Sequence, residues 1–304
     1  DRSPSRGLGD VYKRQISGVL RTASLHTLRA SDRPRRCIGV RWRSGTAAKH
    51  APGTHVYRQL TAVEHVLLRP GMYIGSVEAR TEMAWVFEGG RMVWREVKYV
   101  PALLKLFDEL LVNAMDNVQR DAGTTSIQVS IGGAVSVPGS KPDVDPGVIS
   151  VYNSGRGIPV VKASAEAHGL SAAGLWLPQM VLGELYTGSN FDDGAGSMVG
   201  GRHGFGAKLA NIFSEWFSIE TADTDARLLY SQIWRSNMSE VEVPLVKPLP
   251  PETPDFTRVT MMPDYARLLD HSSLLSGNAR LDADTLAMLC LLYTSPSPRD
   301  GLLS

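Results

Sequence analysis

The sequence predicts an α+β two-layer sandwich, a mixed but mostly antiparallel sheet with helices on one face. Three features carry that expectation. A long amphipathic helix spans Pro101 to Asp121. Strand-like segments at Trp216 to Thr221, Arg227 to Trp234, Glu240 to Val246 and Phe256 to Met262 follow one another with only turn residues between them. Such short links imply antiparallel pairing, because parallel strands need a long crossover. Short helical patterns at Pro178 to Tyr186 and Ala207 to Phe213 precede this strand series.

The long helix has two unlike faces. A period of 3.6 gathers Leu103, Phe107, Leu110, Ala114 and Val118 on one side, while Glu109, Asn113 and Asn117 stand one turn apart on the other. Pro101 suits the first helical turn. A merely solvated face would carry Lys, Glu and Arg, whereas asparagine is a poor helix former whose amide has to justify its place. A carboxylate and two carboxamides on consecutive turns supply one proton acceptor and several neutral oxygen ligands, a set suited to a hydrated Mg²⁺ and an attacking water.

At 304 residues and 43% hydrophobic composition the chain holds one large or two modest packed domains. A net charge of +1 supplies no global attraction to nucleic acid or membrane, so such a partner would be met through a local patch. The two cysteines, Cys37 and Cys290, fit no zinc spacing and suit a reducing compartment. No apolar run approaches the ~20 residues that span a bilayer.

The two ends read as something other than coding sequence. Asp10 to Gln15 can be encoded by GAT GTG TAT AAG AGA CAG, whose reverse complement in a shifted frame gives the Cys-Leu-Leu-Tyr-Thr of Cys290 to Thr294. Ser5 to Gly9 and Pro296 to Asp300 are open to the same reverse-complementary coding. Residues 1–15 and 290–304 are therefore expected to be translated library adapter. Residues 16–54 are rich in Arg, Ser, Thr and Ala with Asp32 the lone acid, and read as a basic disordered leader or non-native sequence. One domain, C-terminally truncated, is expected over 55–289.

Within it, a helical pattern from Thr61 to Arg69 ends at Pro70 and Gly71. Met83 to Phe87 and Arg91 to Val97 read as paired strands, and Ser126 to Ile131 and Val148 to Tyr152 as two more. The second of these leads into Asn153-Ser-Gly-Arg-Gly157, a pattern common in ordinary turns that also lets backbone approach a ligand. A glycine-rich segment then closes with Gly200-Gly-Arg-His-Gly-Phe-Gly-Ala-Lys208 running straight into a helix. Glycines before a helix turn main-chain N–H groups toward an anion, and Lys208 in the first turn can reach a phosphate. The common P-loop spacing is absent. A final helix starts at Asp282 to Leu289.

DELLVNAMDN, NSGRGIPV and VGGRHGFGAKLANIFS, in this order, together with Tyr57 to Glu78, resemble the ATPase region of eukaryotic type IIA DNA topoisomerases over most of 56–289. That resemblance implies the Bergerat, or GHKL, fold shared with gyrases, large heat-shock chaperones, mismatch-repair ATPases and sensor histidine kinases. It implies that Glu109 is the general base and that Asn113 holds Mg²⁺ and the phosphates of ATP, with Asp116 and Asn117 completing that wall. Asn153 would face the base or sugar, with Gly155 and Gly157 permitting its approach. Ser189 and Asn190 match nucleotide-contacting positions. Gly201, Arg202, His203, Gly204, Phe205, Gly206, Ala207 and Lys208 would wrap the triphosphate as a lid, and Tyr57 matches a tyrosine that reaches the partner subunit's nucleotide.

The sequence also departs from the family. Gly188 stands where a second serine is frequent, His203 where asparagine is, and Arg69-Pro-Gly-Met72 looks more like the gyrase version of that turn. The resemblance further implies, for the full-length protein, a homodimer closing through its ATPase gate on double-stranded DNA, in the nucleus or else the mitochondrion. Two alternatives stay open: another ATPase of the superfamily, of mismatch-repair or chaperone type, and a nucleotide-sensing dimerisation module that does not hydrolyse.

Overall fold

Helix α1 (Ala62–Leu68) starts at a capping box, in which the Thr61 side chain accepts from Glu64 N–H and Glu64 reaches back to Thr61 N–H. Arg69 caps its end, and Pro70–Met72 form one 3₁₀ turn, as the Pro-Gly signal requires. The computed structural model describes residues 59–88, 91–132, 134–135, 143–144, 147–164, 174–185, 187, 205–269 and 283–294. Strands β1 (Arg80–Glu88) and β2 (Arg91–Tyr99) pair antiparallel as a separate two-stranded sheet, both longer than the sequence pattern suggests. Trp85 lies opposite Trp94 with ring centroids 5.4 Å apart.

Helix α2 (Pro101–Arg120) follows directly, with Pro101 in its first turn and no side-chain cap. Its apolar side is buried as the periodicity requires: Leu103, Phe107, Leu110 and Ala114 are in the core, joined by Ala102, Leu106 and Leu111. Val118 is only half-buried.

The main sheet is built from β3 (Ile127–Ile131), β6 (Ile149–Ser154), β7 (Ser214–Asp223), β8 (Leu228–Arg235), β9 (Glu240–Val241), β10 (Leu245–Pro248) and β11 (Phe256–Pro263), while β4 (Ala134–Val135) and β5 (Asp143–Val144) pair only with each other. Its order is β10-β8-β7-β11-β6-β3, with β9 also on β8. Every pairing among the described residues is antiparallel. The single strand expected over Glu240 to Val246 is broken in two. Pro244 has no N–H to donate, and the ladder resumes beyond it at Leu245.

Period-two alternation fixes the two faces. Across the sheet, Ile131, Ile149, Met261, Phe217 and Trp234 form one rung, and Val129, Val151, Val259, Ile219 and Gln232 the next. Their apolar members belong to the same core as the buried side of α2 and as α4 (Gly206–Ile212), with Leu182 of α3 (Leu177–Gly183) joining it. The opposite side carries Tyr152 stacked on Phe256, with Arg258 over both rings and paired to Glu220 at 2.9 Å.

After β11, α5 (Tyr265–Leu268) fastens the sheet end, its Tyr265 hydroxyl donating to Gly147 O at 2.7 Å. Helix α6 (Ala283–Thr294) packs on the β1–β2 sheet and α2, continuing past the Cys290 boundary drawn from coding. Its Asp284 takes Arg95 at 2.6 Å and the Lys98 N–H at 2.9 Å.

Candidate functional site

Helix α4 packs on α2 where the polar line of α2 begins. Glu109 sits at that crossing with its side chain 19% exposed, and Lys105 one turn earlier pairs with Oε1 at 2.5 Å. The other oxygen, Oε2, lies against Gly206, the first residue of α4, so closely that a Cβ there would collide with it. The glycine-rich run thus feeds a helix start that rests on the candidate base. Asn113, the next residue of the line, is exposed; Asn117 is half-buried and donates to Thr124 Oγ1 at 2.9 Å. Asp116, two turns beyond Glu109 on the same side of the helix, is buried.

At the end of β6, Asn153 points to the helix side of the sheet, in register with Thr257 and Thr221. It is buried, and its Nδ2 donates to Ser154 O at 3.1 Å. The rungs below are apolar on β3, β6, β11 and β7, so on these strands the helix side of the sheet turns polar at this end. Thr221 Oγ1 donates to Phe256 O at 2.9 Å and meets Thr257 Oγ1 at 3.1 Å.

The protein's own packing demands both glycines of the turn. Gly155 has φ of +86°, and a Cβ there would strike Thr124 Oγ1, Asp121 Oδ2 and the Thr124 backbone nitrogen. At Gly157 a Cβ would strike the hydroxyls of Thr257 and Thr221. Asp121 accepts from the N–H groups of Gly123 at 3.0 Å and Arg156 at 2.6 Å. These backbone donors hold its carboxyl below the usual carboxylate range. Asp121, Thr124, Thr221 and Thr257 escape the sequence reading. For the last two a signal exists, since Phe217, Ile219, Thr221 and Thr257, Val259, Met261 each put a threonine in a core-facing series.

Lys208 turns inward rather than toward open space. It is 3% exposed, and its Nζ donates to Thr187 O at 2.5 Å. Burial pushes its ammonium down to about 8, against an opposing pull from Glu184. One turn on, Asn211 Nδ2 donates to Leu182 O at 3.0 Å, so α4 is tied once to the end of α3 and once to the chain that follows it. Phe205 is half-buried beside Tyr73, ring centroids 6.2 Å apart, and Ala207 is half-buried. Tyr57, Gly188, Ser189, Asn190, Gly201, Arg202, His203 and Gly204 lie outside the described residues.

No family model matches the chain. The DNA topoisomerase 2 of Arabidopsis thaliana is 44% identical over 212 residues, which cover 70% of this chain and 13% of that protein. The crystallised ATPase and transducer domains of DNA topoisomerase II from Balamuthia mandrillaris match with a TM-score of 0.66 at 44% identity, covering 77% of this chain and 55% of that one. The chain belongs to the DNA topoisomerase II family. The ATPase region of Saccharomyces cerevisiae topoisomerase II matches it as well, with a TM-score of 0.62 at 35% identity over 77% of this chain. The similarity to topoisomerase II thus falls in the ATPase region, whose sandwich is the one described above. The chain spans 13% of the length of the Arabidopsis topoisomerase.

Proposed function

We propose that this chain binds ATP with Mg²⁺ beside α2 and hydrolyses it, as the ATP-operated gate of a type IIA DNA topoisomerase. The observation that carries the proposal is the seating of the Glu109 carboxylate against Gly206, where the candidate base adjoins the helix entered from the glycine-rich run. In this reading Glu109 takes a proton from the attacking water as the water oxygen bonds the terminal phosphorus. The bond from that phosphorus to the bridging oxygen breaks, and ADP leaves with its electrons. Asn117, braced by Thr124, and Asn113 line the approach, and Asn153 with Thr257 and Thr221 forms the floor for the base.

The donor set fits Mg²⁺ rather than a metal held by protein alone. Among the described residues no cluster of three or more His, Cys, Asp and Glu could hold an ion. Asn113 instead offers an exposed amide oxygen, which suits a cation that keeps most of its water and takes phosphate oxygens. When bound, the ion would neutralise charge on the phosphates. Closure of a homodimer around double-stranded DNA, in the nucleus or the mitochondrion, belongs to the longer protein and follows from the same reading.

Glu109→Ala tests the base directly. Phosphate release should vanish while ATP binding and ATP-dependent dimerisation persist; turnover at the parent rate would refute the assignment. A nucleotide sensor of the same fold would dimerise in the parent chain without releasing phosphate.

A further inference from the structure

One carboxylate ties the end of α2 to the turn after β6. Asp121 closes the helix, its N–H donating to Asn117 O at 2.9 Å, and its side chain then accepts from Gly123 N–H at 3.0 Å and Arg156 N–H at 2.6 Å. Gly155 seats the turn on this carboxylate at a distance only glycine allows, since a Cβ would meet Oδ2 at 2.6 Å and Thr124 N at 2.7 Å. The turn is held from its far side too. Gly155 N–H donates to Asp255 O at 3.0 Å, and the Arg156 guanidinium pairs with Asp225. Asn117 bonds Thr124 within the same knot, so the last polar residue of the α2 line and the turn share one anchor.

We propose that Asp121 is a positioning residue that sets which nucleotide base this site accepts, a role that rests on the ATP site proposed above. Asn153 stands two residues before Gly155, and its Nδ2 is committed to Ser154 O. Its Oδ1 is left as an acceptor, suited to the exocyclic amino group of adenine and mismatched to the carbonyl at the same position of guanine. Phosphate contact depends less on this height, because Glu109 and Asn113 lie two to three turns away along α2 and only Asn117 of the polar line shares the anchor. Base selectivity depends on it more. Asn153 itself is held in the sheet between Ile127 and Thr257, so what Asp121 fixes is the level of α2 against that strand end, at which Asn153 Oδ1 meets the amino group while the phosphates lie along the helix.

The test compares ATP, GTP and inorganic tripolyphosphate binding to the parent chain, Asp121→Ala and Asp121→Asn, with thermal melting alongside. The parent should prefer ATP. In Asp121→Ala, ATP affinity should fall ~10-fold while GTP and tripolyphosphate stay within about twofold, so the preference collapses. Asp121→Asn keeps one acceptor oxygen and should fall between, and it carries the test if the alanine variant does not fold. An unchanged ATP-to-GTP ratio in either folded variant, or equal weakening of all three ligands in step with melting temperature, would overturn the role of Asp121 alone. A parent chain that bound none of the three would overturn the ATP site with it.

Discussion

Gly206→Ala separates chemistry from stability at a single position. The added Cβ falls well inside contact distance of Glu109 Oε2, yet it lies 3.2 Å from the carboxyl carbon and 3.8 Å from Glu109 Cβ. Only the tip of a flexible side chain must therefore give way, by about 1 Å to reach ordinary contact. Rotation about the last torsion of Glu109 is soft, so folding is little disturbed. Alanine in the first turn of α4 also recovers up to ~1 kcal/mol of helix propensity. The net change in stability should lie within about 1 kcal/mol of zero. Catalysis should not be spared, because Lys105 holds Oε1 at 2.5 Å and leaves Oε2 as the oxygen that moves. A displacement of ~1 Å at a reacting group costs on the order of 100-fold in rate. Phosphate release measured beside nucleotide affinity and thermal melting should show a turnover loss of that order, with affinity within about threefold of the parent. Parent-like turnover in a variant that binds ATP normally would refute the placement of Glu109 as base.

Two further outcomes are open to direct measurement. Gly155→Ala meets backbone rather than a flexible tip, at Thr124 N, and forces φ of +86° on a residue with a Cβ; left-handed strain plus overpacking should cost about 2–4 kcal/mol in urea denaturation, and a loss below ~1 kcal/mol would contradict the packing described. Lys208 has its ammonium lowered to about 8 by burial, so from there up to the ordinary lysine value the unfolded chain holds the extra proton and stability should rise with pH. Lys208→Met should lack that rise between about pH 8 and 10, and equal slopes for the two chains would dismiss the buried charge.

The long helix was legible because its signal is local: one apolar side at 3.6 spacing and an unusual run of Asn on the other. The existence of the longer strands was legible for the same reason, though not of the two-residue β4 and β5, whereas the break at Pro244 needed the knowledge that this stretch pairs with β8 and must donate to it. The two glycines of the turn were legible as necessary but not as to cause. Their partners, Asp121 and Thr124 for one and Thr221 and Thr257 for the other, include residues about 100 positions away, beyond any periodic pattern. The direction of Lys208 was equally out of reach. A lysine in a first helical turn reads as phosphate-facing, but the side of α4 that faces α3 is fixed by packing, and Asn211 on that same side carries the tie.

The β1–β2 pair has a consequence for how the chain is made. It stands outside the main sheet on a small core of Val86, Val97, Tyr99 and Ala287, and an isolated two-stranded pair is marginal in water. Its clasp comes from Asp284, 189 residues after Arg95 and 186 after Lys98. During synthesis from the N-terminus these strands wait, their inner side uncovered, until Asp284, 186 residues after Lys98, has left the ribosome, so strands made early are secured late.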